Sequence, residues 1–426
     1  MTASSSPHRV VLDHPNVDAG HTPYTLDGKS LRASTTLCHL TVGLPPVQGP
    51  AAELFLAAIA AWIADRSIPR GQQPDKWTRH IDIAFPVADP TTWPTEQVQR
   101  LLRFLSNDRW TVTTYPTTRQ TLLSPSQMWI DTLEADSVDL FSGGLDSFAY
   151  AASNGHPTGL AVAHWDMPTL KGLQDRLHRD LGLVPDRLRS FHVAVTDSAE
   201  ESSRTRGFMF ATAAIAVAAA LNVPRVSIPE NGFVALNVPL TPARTGALST
   251  RSTHPHTITL LTETLDALGL DIRLDNPWFY KSKGDITQAA VGSPKGLAQT
   301  VSCSRPTVDR WRGNNSYNNC GYCYPCLVRR SGIEAANNGE DPTVYKYDPR
   351  TDPAVTAKTS DRRADLYAVV ARLAKPPHPR DLALTGPIPP HLERARLQNM
   401  RERSHAELST MLKNGMTQQV RRQLGL

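Results

Sequence analysis

An α/β fold with a parallel sheet is what the middle of this 426-residue sequence predicts. Apolar runs at 138–141, 159–163, 188–195 and 225–228 read as strands buried on both faces, because a strand with two covered faces has no reason to alternate. Segments with helical spacing, 147–153, 169–181, 201–221 and 256–268, alternate with them, and strands separated by helices make βαβ units with a parallel sheet. At the first of these strands, Ser137-Val-Asp-Leu-Phe141 enters Ser142-Gly-Gly-Leu-Asp-Ser147 and a helix begins at once.

Three units are expected in order along the chain. Residues 1–135 carry no chemical motif; 51–64 is an apolar helix, 80–87 and 110–115 alternate like strands, and 96–105 is helical between them. That is a small α+β domain. Residues 136–340 hold the alternating strands and helices, and 341–426 form a proline-rich linker followed by terminal helices at 361–374 and 391–424. Apolar content of 40% with 20% charged residues suits a soluble protein with a real core. The N-terminus lacks an apolar signal core and the longest apolar stretch, 208–221, has only 14 residues, too few to span a bilayer. A cytoplasmic protein without a membrane partner is expected. The last 36 residues carry seven Lys/Arg against three acids, either a nucleic-acid or acidic-partner surface or a solvated helix face.

The Ser142–Ser147 string has the chemistry of an anion site. Gly143 and Gly144 let the backbone turn sharply and approach a ligand that a Cβ would block, while exposed N–H groups and the helix N-terminus face the phosphates. The hydroxyls of Ser142 and Ser147 add donors. Asp146, beside so much negative charge, serves better as a Mg2+ ligand or a loop brace than as a phosphate contact. The string is neither a Walker loop nor a dinucleotide fingerprint.

Cys303, Cys320, Cys323 and Cys326, four of the five cysteines, follow a C-x16-C-x2-C-x2-C pattern. Four soft ligands at such spacing suit a tetrahedral Zn2+, and with every position taken by protein the metal is structural. Free thiols or a redox pair are the other readings.

The string Phe141-Ser-Gly-Gly-Leu-Asp-Ser147 resembles the PP-loop of the ATP pyrophosphatase superfamily. The resemblance implies a five-stranded adenine-nucleotide α-hydrolase-like sheet with the pyrophosphate of ATP held by Phe141, Ser142, Gly143, Gly144, Leu145, Asp146 and Ser147. With the four cysteines, Ser302-Cys303 and Arg329-Arg330, residues 137–337 resemble the 7-cyano-7-deazaguanine synthases (the QueC family), which use ATP to convert a carboxy-deazaguanine acid to an amide and then a nitrile. The chain departs from them at His164-Trp-Asp-Met-Pro168, where a Tyr-Gly-Gln is expected, and in the segments 230–237 and 244–254. The added first 135 residues and basic tail look more like the QueC-like proteins of bacterial anti-phage operons, the QatC type. That likeness implies a defence enzyme joining a deazapurine acid to a protein amine from the same operon instead of ammonia.

Other candidates follow. Arg206, at the start of the apolar helix, could grip a carboxylate or neutralise an acyl-adenylate, or be a surface residue. Glu230 and Asn231 follow a strand end, where ligands gather in open α/β sheets. Lys281 and Lys283 follow Asn276-Pro-Trp278, and by resemblance a lysine there reaches the pyrophosphate. His164, His254 and His256 are expected to be structural, and Trp278, Phe279 and Trp311 to pack in the core. The function expected is an adenylating ligase that takes ATP-Mg2+ and a small carboxylate. A nitrile-forming synthase using ammonia, a tRNA thiolase on the same loop, and a nucleotide-binding scaffold are the rivals.

Overall fold

The computed structural model describes residues 7–118, 123, 133–154, 159–195, 198–201, 203–241, 251–307, 317–357, 360 and 362–425. Trp311 and most of the 244–254 segment lie outside them. The chain opens with β1 (His8–Leu12), β2 (His21–Leu26), β3 (Lys29–Thr35), α1 (Leu37–Thr41), α2 (Gly49–Ser67), β4 (His80–Val87), α3 (Thr95–Ser106) and β5 (Arg109–Pro116). It continues with β6 (Val138–Leu140), α4 (Leu145–Asn154), β7 (Leu160–His164), α5 (Pro168–Asp180), β8 (Leu188–Phe191), β9 (Val193–Val195), α6 (Arg206–Ala220), β10 (Arg225–Ser227), α7 (Gly232–Leu236), α8 (Pro255–Ala267) and β11 (Arg273–Asp275). Helices α9 (Lys283–Thr287), α10 (Pro294–Gln299), α11 (Tyr324–Ala336), α12 (Pro353–Thr356), α13 (Arg363–Leu373), α14 (Arg394–Gly415) and α15 (Gln418–Leu424) complete it.

Two sheets organise these elements. One has six strands in the order β5-β4-β1-β2-β3-β9, the other five in the order β11-β10-β6-β7-β8. All pairings in the five-stranded sheet are parallel, as the unalternating apolar runs predict. The six-stranded sheet is mixed: β4 runs parallel to β1 and β5, whereas β2 and β3 form an antiparallel hairpin.

Helices α2 and α6 pack on each other, with α2 also against β1, β4 and β9 and α6 against β6, β7 and β10. This back-to-back placement explains why both helices are apolar nearly all round, since each must satisfy a sheet on one side and a helix on the other. One hydrophobic cluster therefore runs from Val10 and Ile83 in the first sheet through Phe55 and Ile215 to Val138 and Val226 in the second.

Several boundaries differ from the sequence expectation, each for a local reason. The run 188–195 is two strands: β8 joins the parallel sheet, and after His192 the chain crosses to pair antiparallel with β3. Helix α6 begins at Arg206 rather than 201, because Asp65 of α2 accepts hydrogen bonds from the Arg204 N–H (2.6 Å), the Thr205 N–H (2.9 Å) and the Thr205 hydroxyl (3.0 Å). These are the orphan donors that precede a helix. The 391–424 span splits into α14 and α15, since the Thr417 side chain caps a new start by accepting from the Val420 N–H. Strands β1 to β3 and β11 and helix α11 carry too few contrasting residues to be read beforehand.

Candidate nucleotide site and four-cysteine cluster

β6 is the middle strand of the five-stranded sheet, with β7 and β8 to one side and β10 and β11 to the other. The winding direction reverses between β6 and β10, so the loops leaving these two strands open a crevice at the switch point where ligands of open α/β sheets bind. The loop after β6 is Ser142–Ser147; the loop after β10 contains Glu230 and Asn231. Topology alone brings them together.

Within the first loop, Gly143 sits at φ +82, and a Cβ there would press on the Gln174 side chain at 3.3 Å. Both the left-handed backbone and the close approach of α5 call for glycine. The Ser147 hydroxyl accepts from the Ser142 N–H (3.2 Å) and donates to the Gly144 carbonyl (3.1 Å), and Ser142 Oγ accepts from the Gly144 N–H (3.2 Å). Ser147 is thus buried as a brace while Ser142 is exposed. Gln174 donates to the carbonyls of both Ser142 and His164 at 3.1 Å, tying the ends of β6 and β7 together. Phe141 and Leu145 are buried beneath the loop, so they shape it from below.

Asp146, in the first turn of α4, is the hub of a buried polar cluster. One carboxylate oxygen accepts from the main-chain N–H and the side-chain amide of Asn231, both at 2.8 Å, and the other pairs with Lys283. Asn231 caps α7 by accepting from the Val234 N–H and also donates to Glu230 at 3.0 Å. Asn276, just after β11, holds the Glu230 main chain from both sides. Lys283 is the first residue of α9, whose start is fixed by a capping box between Ser282 and Asp285.

Burial works against the Asp146 charge, but Lys283 and hydrogen bonds from Glu230 and Asn231 overcome it and pull the carboxyl to about 2. Glu230 goes the opposite way: burial and then the Asp146 charge push it well above the usual carboxylate range. The two groups are thus pushed in opposite directions, Asp146 toward the carboxylate and Glu230 toward the neutral acid, the kind of splitting that acid–base chemistry uses. Of the two lysines singled out in the sequence, Lys283 is buried in the cluster and Lys281 is exposed.

Arg206, the first residue of α6, stands beside His164 at the end of β7. Its Nε donates to His164 Nδ1 at 3.2 Å and one terminal nitrogen lies 3.7 Å from Asp166. Burial, followed by the Arg206 charge, holds His164 well below its usual pKa, so it is neutral with its proton on Nε2. Phe191 and Trp62 flank its ring. His164, Gln174 and Ser302 contribute to the site without having been assigned a role from sequence. Gln174 did leave a signal, a lone amide on the apolar face made by Leu170, Leu173 and Leu177.

The four cysteine sulfurs lie within 4.8 Å of one another, with Cys303–Cys323 at 3.7 Å and Cys320–Cys326 at 3.9 Å. A tetrahedron with metal–sulfur arms of about 2.3 Å has edges of about 3.8 Å, so the donor set fits zinc. Main-chain N–H groups of Arg305 and Cys320 donate to Cys303, and that of Cys323 to Cys320. Gly321, at φ +89, lies so close to the Tyr347 carbonyl that a Cβ would overlap it at 1.9 Å.

The cysteine cluster also touches the phosphate loop. The Val301 N–H donates to the Gly143 carbonyl (3.0 Å), and Ser302 Oγ accepts from the Leu145 N–H (3.3 Å). Asn319, between the two halves of the cluster, accepts from the Ser302 N–H and donates to the Thr300 carbonyl.

Comparison with known proteins gives one partial likeness. The chain is 35% identical over 75 residues to a 7-cyano-7-deazaguanine synthase from Ruegeria sp. (strain TM1040), a match covering 18% of this chain and 28% of that synthase. No family model and no solved structure matches the chain. No helix among the described residues is long and apolar enough to cross a membrane.

Proposed function

We propose that this protein is an ATP-dependent ligase of the PP-loop, QueC-like type that adenylates a carboxylate and passes the acyl group to an amine. The observation that carries this is the meeting, at the switch point of a parallel sheet, of a glycine turn at a helix N-terminus with the Asp146–Lys283–Asn231–Glu230 cluster. The partial likeness to a deazaguanine synthase supports an acid resembling 7-carboxy-7-deazaguanine. In the first step a carboxylate oxygen attacks the α-phosphorus of ATP, the bond to the bridging oxygen breaks and pyrophosphate leaves. In the second, the amine nitrogen attacks the acyl carbon, loses a proton, and AMP departs.

The chain's part is positioning and charge compensation. Ser142, Gly143, Gly144, Leu145 and Ser147 shape the pyrophosphate cradle, and Lys283 moves from Asp146 to the phosphates. Asp146, once Lys283 has left it, would hold a Mg2+ ion, which neutralises phosphate charge when bound. Arg206, half-exposed beside Asp166, receives the acid. A structural Zn2+ belongs to Cys303, Cys320, Cys323 and Cys326. We further propose units 1–135, 136–340 and 341–426, a protein amine as acceptor, and a place in a bacterial anti-phage system.

Incubation with ATP-Mg2+ and 7-carboxy-7-deazaguanine tests the reading. Pyrophosphate release that depends on the acid, and its loss in Asp146→Ala, are expected. Equal release by the variant refutes the assignment.

A further inference from the structure

Helix α14, in the C-terminal extension, lies across the segments that carry both partners of Asp146. Glu407 accepts from the Ser282 hydroxyl and, at 3.2 Å, from the Gly284 N–H, the residues on either side of Lys283. Arg403 donates to the Tyr280 carbonyl and to Asp285, both at 2.8 Å. The Arg396 guanidinium sits 3.9 Å over the Tyr280 ring. A Cβ on Gly232, the first residue of α7 and the neighbour of Asn231, would come within 2.8 Å of Met400 on α14. Each turn of α14 from Arg396 to Glu407 thus touches the 279–285 segment or the start of α7, and Gly284 has no room for a side chain because Glu407 fills the space at 2.6 Å.

The contacts are specific in kind. Ser282 caps its own helix by accepting from the Asp285 N–H, which leaves its hydroxyl hydrogen for Glu407. A helix of five residues is too short to hold its geometry alone. The direction of the Lys283 side chain is therefore set by what holds the first turn of α9, Glu407 on α14 together with Gly332 of α11 packed on the Lys283 stem.

We propose that α14 is a positioning element of the nucleotide site, acting through Glu407 on Lys283. This rests on the nucleotide reading of the Ser142–Ser147 loop. It gives the C-terminal extension a role in ATP binding, and the basic residues Arg396 and Arg403 are engaged within the molecule.

Titration calorimetry with ATP-Mg2+ on wild type, Lys283→Ala, Glu407→Ala and the double variant tests it. Glu407→Ala is expected to weaken ATP about fivefold, and to add less than about twofold once Lys283 is gone, because residues acting through one another are non-additive. Glu407→Gln, whose amide oxygen can accept from the Gly284 N–H while its NH2 donates to the Ser282 hydroxyl oxygen, should bind within about twofold of wild type. If Glu407→Ala does not fold, Arg403→Ala carries the same cycle from an exposed side chain. Additive losses in the double variant, or full affinity in Glu407→Ala beside a loss in Lys283→Ala, overturn the proposal. Wild type that fails to bind ATP overturns the nucleotide reading itself and this inference with it.

Discussion

Asp146 and Glu230 share one buried lysine, and that arrangement makes a sharp stability prediction. In the native cluster Asp146 is ionised against Lys283 while Glu230 is held neutral, first by burial and then by the Asp146 charge. Asp146→Asn removes the charge that keeps Glu230 protonated, so Glu230 ionises and becomes the counter-ion of Lys283. What remains lost is one acceptor: the amide keeps an oxygen for Asn231, whose two donors both aim at a single carboxylate oxygen, and turns its NH2 donor toward Lys283. One mismatched donor costs about 1–3 kcal/mol. Glu230→Gln replaces a neutral acid with a neutral amide and should cost about 1 kcal/mol or less. The double variant leaves Lys283, 4% exposed, with no carboxylate in the cluster. Stripping a buried charge of its partner costs about 3–5 kcal/mol, and neither single variant incurs that cost, so the double variant should exceed the sum of the singles by about 3–5 kcal/mol. Urea unfolding of the four proteins at neutral pH measures this. Additive losses would refute the shared-lysine account.

Four further outcomes are expected. Purified protein should retain one zinc per chain by elemental analysis, and Cys320→Ala should both lose the metal and melt lower, since structural zinc contributes directly to folding. Glu407, pushed up by burial and by Asp285 from 4.5 to about 7, binds its proton more tightly folded than unfolded, so stability falls as pH rises through that window. At 1.36 kcal/mol per pH unit the fall is at most about 3 kcal/mol, and Glu407→Gln should flatten that part of the stability–pH curve. Asp65→Ala should cost about 3–5 kcal/mol in urea unfolding, because it leaves two buried arginines, Arg70 and Arg79, with Asp108 as their one remaining carboxylate and uncaps α6. Arg9→Ala, in an exposed pair with Asp82 at 3.5 Å, should cost less than about 1 kcal/mol.

How far the sequence could be read follows from which residues carry local contrast. The parallel sheet was legible because strands buried on both faces are apolar without alternation and are set apart by helices of clear period. The six-stranded sheet was not, because β2 and β3 mix exposed Lys29, Ser30 and Arg32 with buried Tyr24 and Ala33. That hairpin is defined by pairing, a non-local property. Its edge is completed by β9, 158 residues beyond β3 at the Thr35–Val193 pair, and no local pattern announces such a crossing. The cysteine cluster lies at the other extreme. Spacing alone brings three of its members onto one knuckle, and the structure returns Cys303 to them.

The site shows the same division at finer grain. Asp146, Glu230, Asn231 and Lys283 were each singled out for separate reasons, and nothing in one dimension says that they meet. They meet because β6 and β10 are neighbours on opposite sides of the winding reversal, and because α9 starts where the chain returns from β11. What sequence could not supply is the order of dependence among them. Lys283 is buried on a helix too short to hold itself, so its aim depends on α14, the last long helix of the chain. The loop read most readily from sequence is thus joined, through Asp146 and Lys283, to a contact made by one of the segments with no motif. A truncation before α14 that keeps the phosphate loop and all four cysteines should therefore leave the zinc site chemically complete while weakening the grip of Lys283 on its neighbours.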